Sequence, residues 1–316
     1  MTTPIDSTDG RTCSQTYRTY GLTVQSAFEL PELPIAGDAG EADVVIERGT
    51  VEPVPESVES HGIRRVQATP GHVRLSYDTI GSFLVTGGDR IVFDPVSTDV
   101  VGTKLVRRLF ENEMLGVVLH QRGRLVLHAS AVVVDGEAVV FLGPRGVGKS
   151  TTAAAFRTRG YPILEDDIVS IRFEDETPVV DPGVPEMRLR PDAVEALGIE
   201  RTHQCEDDGG SDKRYLVFDE QPDPVPIGGC YVLRQGERLV IEDLPEKERL
   251  FQLVDQTYTQ GMLSDTDASG DHFRQCAAVV ERTSFGVLQR PSDHDVLPSL
   301  VAAVVDSSRF EGDQRS

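Results

Sequence analysis

The run Gly143-Pro144-Arg145-Gly146-Val147-Gly148-Lys149-Ser150-Thr151 carries the most specific chemical pattern in the chain, GxxxxGK[ST] in full. Glycines at these spacings free the backbone to wrap its N–H groups around phosphate oxygens, and a helix opening at the serine adds its positive end. Lys149 would reach the β- and γ-phosphates of a nucleoside triphosphate, and the Ser150 hydroxyl would ligate Mg²⁺. A plain glycine-rich turn would require neither the apolar run Ala138–Leu142 before the loop nor the helical pattern after it, and both are present.

Phosphoryl transfer also needs a carboxylate for the metal and a group to take the proton of the attacking hydroxyl. Asp166 and Asp167 follow the strand-like run Pro162–Leu164 through Glu165, one β-unit after the loop. Neighbouring acids on a strand point to opposite sides, so one is expected to face Mg²⁺ and the other an acceptor hydroxyl. In a chain so rich in acids, a solvated acidic turn is the competing reading; the position after the loop favours the chemical one. His128, inside Leu127-His128-Ala129-Ser130, is either a satisfied core histidine or a partner for an aspartate or phosphate that tunes a base.

The elements that must position these groups can be read coarsely. Residues 1–15 are polar and read as a disordered tail. Residues 16–98 alternate short strand-like runs, among them Gly21–Val24, Asp43–Ile46, His72–Tyr77 and Ser82–Val85, with turn signals, which predicts a small, mainly antiparallel β domain. Residues 99–120 carry Leu105, Val106, Leu109, Met114, Leu115, Val118 and Leu119 at helical spacing and read as a linking helix. From 121 to 316 the pattern is α/β. It comprises strands over Val126–Ser130, Ala131–Val134 and Ala138–Leu142, a hairpin at Asp135-Gly136 and a helix over Ser150–Arg159. A strand Ile168–Phe173, a proline-rich stretch Pro178–Pro191 and a helix Pro191–Leu197 follow. Then come an acidic loop Glu206–Asp212, strands Gly228–Arg234 and Leu239–Leu244, and a helix Glu246–Gln260.

The chain has 316 residues, enough for two domains. Its formal net charge is -21, from 52 acids against 31 bases, and Lys104, Lys149, Lys213 and Lys247 are its only lysines. Such acidity reads chiefly as adaptation to high salt, a halophilic surface, and it argues against duplex nucleic acid as a partner, since a phosphate backbone needs a basic face. Without a run of about 18 apolar residues a membrane span is not expected. The start MTTPIDSTDGRT lacks a signal-peptide pattern, so the expected location is cytoplasmic. Cys13, Cys205, Cys230 and Cys276 lie far apart, which predicts reduced thiols rather than a zinc site.

Taken in order, Leu127-His128-Ala129-Ser130, the loop 143–151 and Ile163-Leu164-Glu165-Asp166-Asp167 resemble the catalytic domain of HPr kinase/phosphorylase and its relatives, which is akin to the nucleotide-binding domain of phosphoenolpyruvate carboxykinase. The resemblance extends, over roughly 120–300, to the run Met187–Gly198, to Lys213-Arg214-Tyr215-Leu216 and to Cys230-Tyr231-Val232-Leu233, and is closest to HPr-kinase-like proteins found beside peptide-modification genes. It implies a P-loop-containing α/β catalytic domain, preceded here by the β-rich domain, with ATP and Mg²⁺ as cofactors and self-association into a homo-oligomer. It also implies that Lys149 and Ser150 hold phosphate and Mg²⁺. One aspartate acts as base assisted by His128 while the other helps hold metal; which does which stays open, with Asp167 the first choice for base. Arg188, Arg190, Lys213 and Arg214 are candidates to clamp phosphate or acceptor, or are ordinary surface ion pairs. HPr kinases carry a glutamate-containing, glycine-rich signature after the aspartates; Pro182–Arg188 stands there in this chain, so the resemblance does not extend to HPr as acceptor or to a phosphorylase activity.

The sequence therefore supports transfer of a γ-phosphoryl group from ATP to a hydroxyl of a peptide, protein or small molecule. The alternative is a nucleotide-dependent regulatory module without phosphotransfer; a carboxykinase-like reaction is a minor third, as no oxaloacetate site is visible.

Overall fold

Apolar and polar residues alternate along the first hundred residues, and in the computed structural model, which describes residues 14–37, 40–205, 210–218 and 221–312, that alternation builds one sheet. Its strands are β1 (Gln15–Thr19), β2 (Leu22–Ser26), β3 (Val44–Arg48), β4 (Ser60–His61), β5 (Arg64–Thr69), β6 (His72–Tyr77), β7 (Gly81–Thr86) and β8 (Arg90–Pro95). Their spatial order is β1-β2-β3-β8-β7-β6-β5-β4. β4 to β8 form an antiparallel meander, but β3 runs parallel to both β2 and β8, so the sheet is mixed rather than uniformly antiparallel. One face buries Val24, Ile46, Val73, Leu75, Phe83 and Phe93.

A helical segment covers that face. Thr103 caps it, its hydroxyl accepting from the Val106 N–H. α1 (Lys104–Arg108) passes through a π-helical turn (Leu109–Met114) into α2 (Leu115–Gln121). The segment read from sequence as one helix over 99–120 thus opens with a separate 3₁₀ turn at Thr98–Val100 and widens in its middle. Phe110 inserts among Phe28, Phe83 and Phe93 at centroid separations of 5.2, 5.5 and 5.5 Å. Such pairs add about 0.5–1.5 kcal/mol each beyond area burial, so this residue anchors the helix to the sheet. The same cluster takes in Val126, Ile168 and Met262 from the rest of the chain.

The second sheet contains β9 (Leu125–Leu127), β10 (Ser130–Val134), β11 (Glu137–Leu142), β12 (Ile163–Asp166), β13 (Val169–Glu174), β14 (Thr177–Val180), β17 (Val225–Gln235), β18 (Val240–Asp243) and β19 (Ser284–Arg290). A two-residue turn at Asp135 and Gly136, with φ of 50° and 85°, closes the β10–β11 hairpin. β10 is antiparallel to β11 and β12, while β11, β17 and β19 run parallel to one another. Consequently β11, β12, β17 and β19 all end at the sheet edge where β10 begins. β15 (Glu186–Leu189) and β16 (Arg214–Val217) form a separate antiparallel ribbon. α3 (Lys149–Arg157) and α7 (Leu297–Gly312) pack on one face of the second sheet through Ala153, Phe156, Leu300 and Val304 against Phe141. α5 (Glu246–Asp255) and α6 (Ser269–Arg282) pack on the other through Leu253, Cys276 and Val279. α4 (Pro191–Ala196) is a short surface helix. The result is an α/β architecture.

Several local readings shift. The proline-rich stretch 178–191 contains two strands, because Pro178 and Pro185 leave the intervening N–H groups free to pair. The helix expected over Glu246–Gln260 stops at Asp255, where Thr257 forms an isolated bridge to Leu127. Most of the expected tail, together with Cys13, lies outside the described residues, as do residues 206–209 of the acidic loop; Gln15 already belongs to β1. Cys230 and Cys276 are free, buried thiols. Among the described residues no helix is long and apolar enough to cross a membrane.

Candidate functional site

The glycine-rich loop leaves β11 at the edge where β12 and β19 also end. Gly143, Gly146 and Gly148 all adopt positive φ, of 140°, 87° and 104°, a conformation that costs other residues and lets the loop curl back toward α3. Pro144, Arg145 and Gly146 are exposed at its tip; Val147 packs inward, and Ser150 and Thr151 open the first turn of α3. The Lys149 ammonium is buried and donates to the Gly143 carbonyl at 2.7 Å, folding over its own loop. Burial pushes it below the ordinary lysine value, against the pull of Asp166 and Asp167.

Asp166 ends β12 directly opposite Ser130 of β10, whose hydroxyl donates to Oδ1 at 2.5 Å. The Ser150 hydroxyl lies within hydrogen-bonding reach of the same carboxylate. Burial, and then the neighbouring Asp167 charge, raise Asp166 to about 6, while Ser130, Ser150 and Lys213 hold it back. Asp167 has φ 96°, so the chain leaves the strand geometry there. Simple alternation therefore fails, and both carboxylates line one solvent-open cleft instead of facing opposite ways. The residue that does point to the other side is Glu165.

His128 lies between β9 and β10, with Nδ1 at 3.1 Å from the Asp167 carbonyl oxygen and 3.4 Å from its Oδ1. Both neighbours are acceptors, which assigns the proton of the neutral ring to Nδ1. Burial, with Lys149 and Arg145 nearby, pushes the imidazole below the ordinary histidine range although Asp167 pulls the other way.

The four proposed clamp residues separate. Register pairs Arg188 with Tyr215 across the β15–β16 ribbon, and Lys213 lies two residues before Tyr215 on the same face. Arg188 and Lys213 both line the cleft, with Arg188 Nη2 at 3.7 Å from Asp167 Oδ2. Arg190 is instead exposed and pairs with Asp192, and Arg214 hydrogen-bonds Gln204 on the outer face. Strand alternation separates Lys213 from Arg214, whereas Arg190 lies past the end of β15, at the N-cap of α4, where the chain has left the ribbon.

Two buried groups escape a reading by motif. Glu165 is fully buried, accepting from the Asp166 N–H at 2.9 Å and the Val184 N–H at 2.7 Å, and burial raises it well above the usual carboxylate range. A Cβ on Gly183 would overlap it, so the backbone at 183 approaches this acid closely enough to exclude any side chain. Lys104, at 0% exposure, bonds Glu186 at 2.5 Å and Glu32 at 2.9 Å and sits 4.7 Å above the Tyr215 ring. It ties the helix that covers the first sheet to the ribbon that carries Arg188 and Lys213. In sequence each is one more charge in a charged chain; the only hint is that Lys104 is one of four lysines and lies in an apolar helical stretch.

The donors present suit Mg²⁺. A serine hydroxyl and one or two carboxylates are hard oxygen ligands, and Mg²⁺ is usually held by a few of these plus substrate phosphates rather than by an all-protein cage. Among the described residues no cluster of three or more His, Cys, Asp or Glu side chains offers such a cage. Two adjacent carboxylates, one raised by burial, leave negative charge that a divalent cation would relieve.

No family model matches the chain. Among curated proteins it is 38% identical over 76 residues to an HPr kinase/phosphorylase of Caldicellulosiruptor bescii, covering 24% of each chain. It is 38% identical over 73 residues to that of Bacillus pumilus and 40% identical over 73 residues to that of Geobacillus kaustophilus, in both cases covering 23% of either chain. The match thus spans about a quarter of the length of these relatives. Among solved structures, the Hpr(Ser) kinase/phosphatase from Coxiella burnetii aligns with 60% of this chain and 98% of its own, at 13% identity and a TM-score of 0.32. Over part of its length the chain is similar to curated HPr kinase/phosphorylases.

Proposed function

We propose that the chain is an ATP- and Mg²⁺-dependent kinase that transfers the γ-phosphoryl group to a hydroxyl on a peptide, protein or small molecule. The observation that carries this reading is the convergence at one sheet edge. Ser150 and Asp166 share hydrogen-bonding reach, and Asp167 stands beside His128 and Arg188 in the same cleft.

In this reading loop 143–151 is a phosphate-binding loop, with Lys149 and Arg145 directed to the phosphate chain. Mg²⁺, held by Ser150 and Asp166, would supply charge neutralisation across the β- and γ-phosphates. Asp167 takes the proton from the acceptor hydroxyl as its oxygen attacks the γ-phosphorus and the bond to the β–γ bridging oxygen breaks, releasing ADP. His128 donates from Nδ1 to Asp167 and fixes its orientation. Arg188 and Lys213 meet the charge that spreads over the transferring group, where preorganised cations act most strongly. Arg108 and Asn112 line the far side of the cleft and form the acceptor's wall.

The domain division is part of the proposal. Residues 16–98 form a β module and 99–120 a link, while 121–316 form the catalytic unit; among the described residues the two large sheets share no strand pairing. Cytoplasmic residence and self-association belong to the same reading. The relatives are named for HPr, but Pro182–Arg188 replaces the signature expected after the aspartates, so the acceptor class is kept to a hydroxyl.

Label transfer from γ-phosphate-labelled ATP with Mg²⁺ at high salt, in cell extract, tests the proposal. Label reaching a peptide or metabolite with wild type and not with Lys149→Ala supports it. Nucleotide bound but never transferred would replace it with a regulatory module.

A further inference from the structure

Arg290 ends β19, on the same sheet edge as the glycine-rich loop, because β19 is parallel to β17 and β17 to β11. It is only 7% exposed. Its Nη1 donates to the Pro291 carbonyl at 3.1 Å, and its Nε is buried without a partner. Nη2 lies against Gly148, so close that a Cβ there would overlap it. No ion pair to Arg290 exists among the described residues, although the chain carries 52 acids and both buried Lys104 and largely buried Arg124 are paired with acids. Burial pushes this guanidinium below the ordinary arginine value with no acidic group opposing the shift.

A buried cation without a counter-charge is costly unless something outside the chain supplies the anion. The guanidinium lies against Gly148, the residue immediately before Lys149, and it offers a planar fork suited to phosphate oxygens.

We infer that Arg290 is a nucleotide-contacting residue whose guanidinium pairs with phosphate oxygens of the polyphosphate held by loop 143–151. This rests on the reading of that loop given under Proposed function. It assigns Gly148 two constraints, a φ of 104° and the absence of a side chain where the guanidinium lies.

The test compares wild type, Arg290→Met, Arg290→Lys and Lys149→Ala by calorimetric binding of ADP and of inorganic pyrophosphate, and by thermal melting without ligand. A phosphate-directed role gives Arg290→Met a ligand-free melting temperature equal to or above that of wild type. Its affinity for both ligands falls about 10- to 100-fold, the scale of charge-assisted hydrogen bonds. Arg290→Lys lies between. Failure of Arg290→Met to fold, or a lower melting temperature with affinity within about twofold of wild type, would make Arg290 a structural strut and overturn the inference. Unchanged binding in Arg290→Lys would do the same. If Lys149→Ala binds like wild type while Arg290→Met does not, the loop assignment falls and the anion site at Arg290 stands. If wild type binds neither ligand, both fall.

Discussion

Ser130 and Asp166 are register partners across β10 and β12, and the serine hydroxyl donates to the carboxylate at 2.5 Å. One hydrogen bond thereby fixes the direction of the acid that shares reach with Ser150. Outer partners of metal-binding carboxylates set affinity by about 10- to 100-fold. We expect Ser130→Ala to raise the Mg²⁺ concentration needed for half-maximal nucleotide turnover by about tenfold, while ADP binding without metal stays near wild type; an unchanged Mg²⁺ requirement would detach Asp166 from the metal.

The raised Asp166 carboxyl makes metal-free stability depend on pH. Its folded value of about 6 lies above the free carboxyl value of 3.8, so its contribution is complete below pH 3.8 and is lost as pH rises through 6. Asp166→Asn does not titrate and escapes that loss. In urea titrations with chelator at one salt concentration, the variant should gain on wild type between pH 4 and 7, by up to about 3 kcal/mol. A flat difference across that range would show that the acid is not held neutral by its surroundings.

Asp167 and His128 should separate chemistry from binding. Asp167→Asn is expected to lower turnover by about 10²- to 10⁴-fold with ADP affinity kept, the range for removal of a general base. His128→Gln should cost less, since it orients Asp167 without taking the proton. Undiminished phosphotransfer in Asp167→Asn would remove it from the base role.

Lys104 holds Glu32 and Glu186 together beneath the cleft, with Glu111 at 4.0 Å. Burial opposes its charge, yet Glu111, Glu186 and Glu32 outweigh that and hold it above the ordinary lysine value. Lys104→Met leaves Glu186 without its ammonium partner and Glu32 with Arg107 alone, and a loss of about 3–5 kcal/mol in chemical denaturation is expected. Adding Glu186→Gln should recover part of it; if it recovers none, the two residues are not coupled.

A formal charge of -21 on 316 residues repels itself when counterions are few. The melting temperature should climb with potassium chloride well beyond physiological ionic strength, where ordinary surface charges are already screened within about 8 Å. A melting temperature that peaks at low salt would rule out the high-salt reading of the composition.

The loop at 143–151 was legible because its information is contiguous: a strand, glycines able to take positive φ, a lysine and a hydroxyl follow one another, and local sterics dictate the result. The Asp135-Gly136 turn was legible for the same reason, as two residues suffice to reverse a strand. Asp166 and Asp167 were found as a pair, but the positive φ at Asp167 that turns both into one cleft is imposed by contacts from elsewhere, including the Asp167 N–H bond to the Ala129 carbonyl. Only tertiary structure separated Arg188 and Lys213 from Arg190 and Arg214, and only it made Lys104, Glu165 and Arg290 distinctive. Lys104 meets Glu32 and Glu186 from 72 and 82 residues away. Whether a charge is buried, paired or left for a ligand depends on what folds against it, and in a chain with acids spread throughout its length no local pattern carries that information.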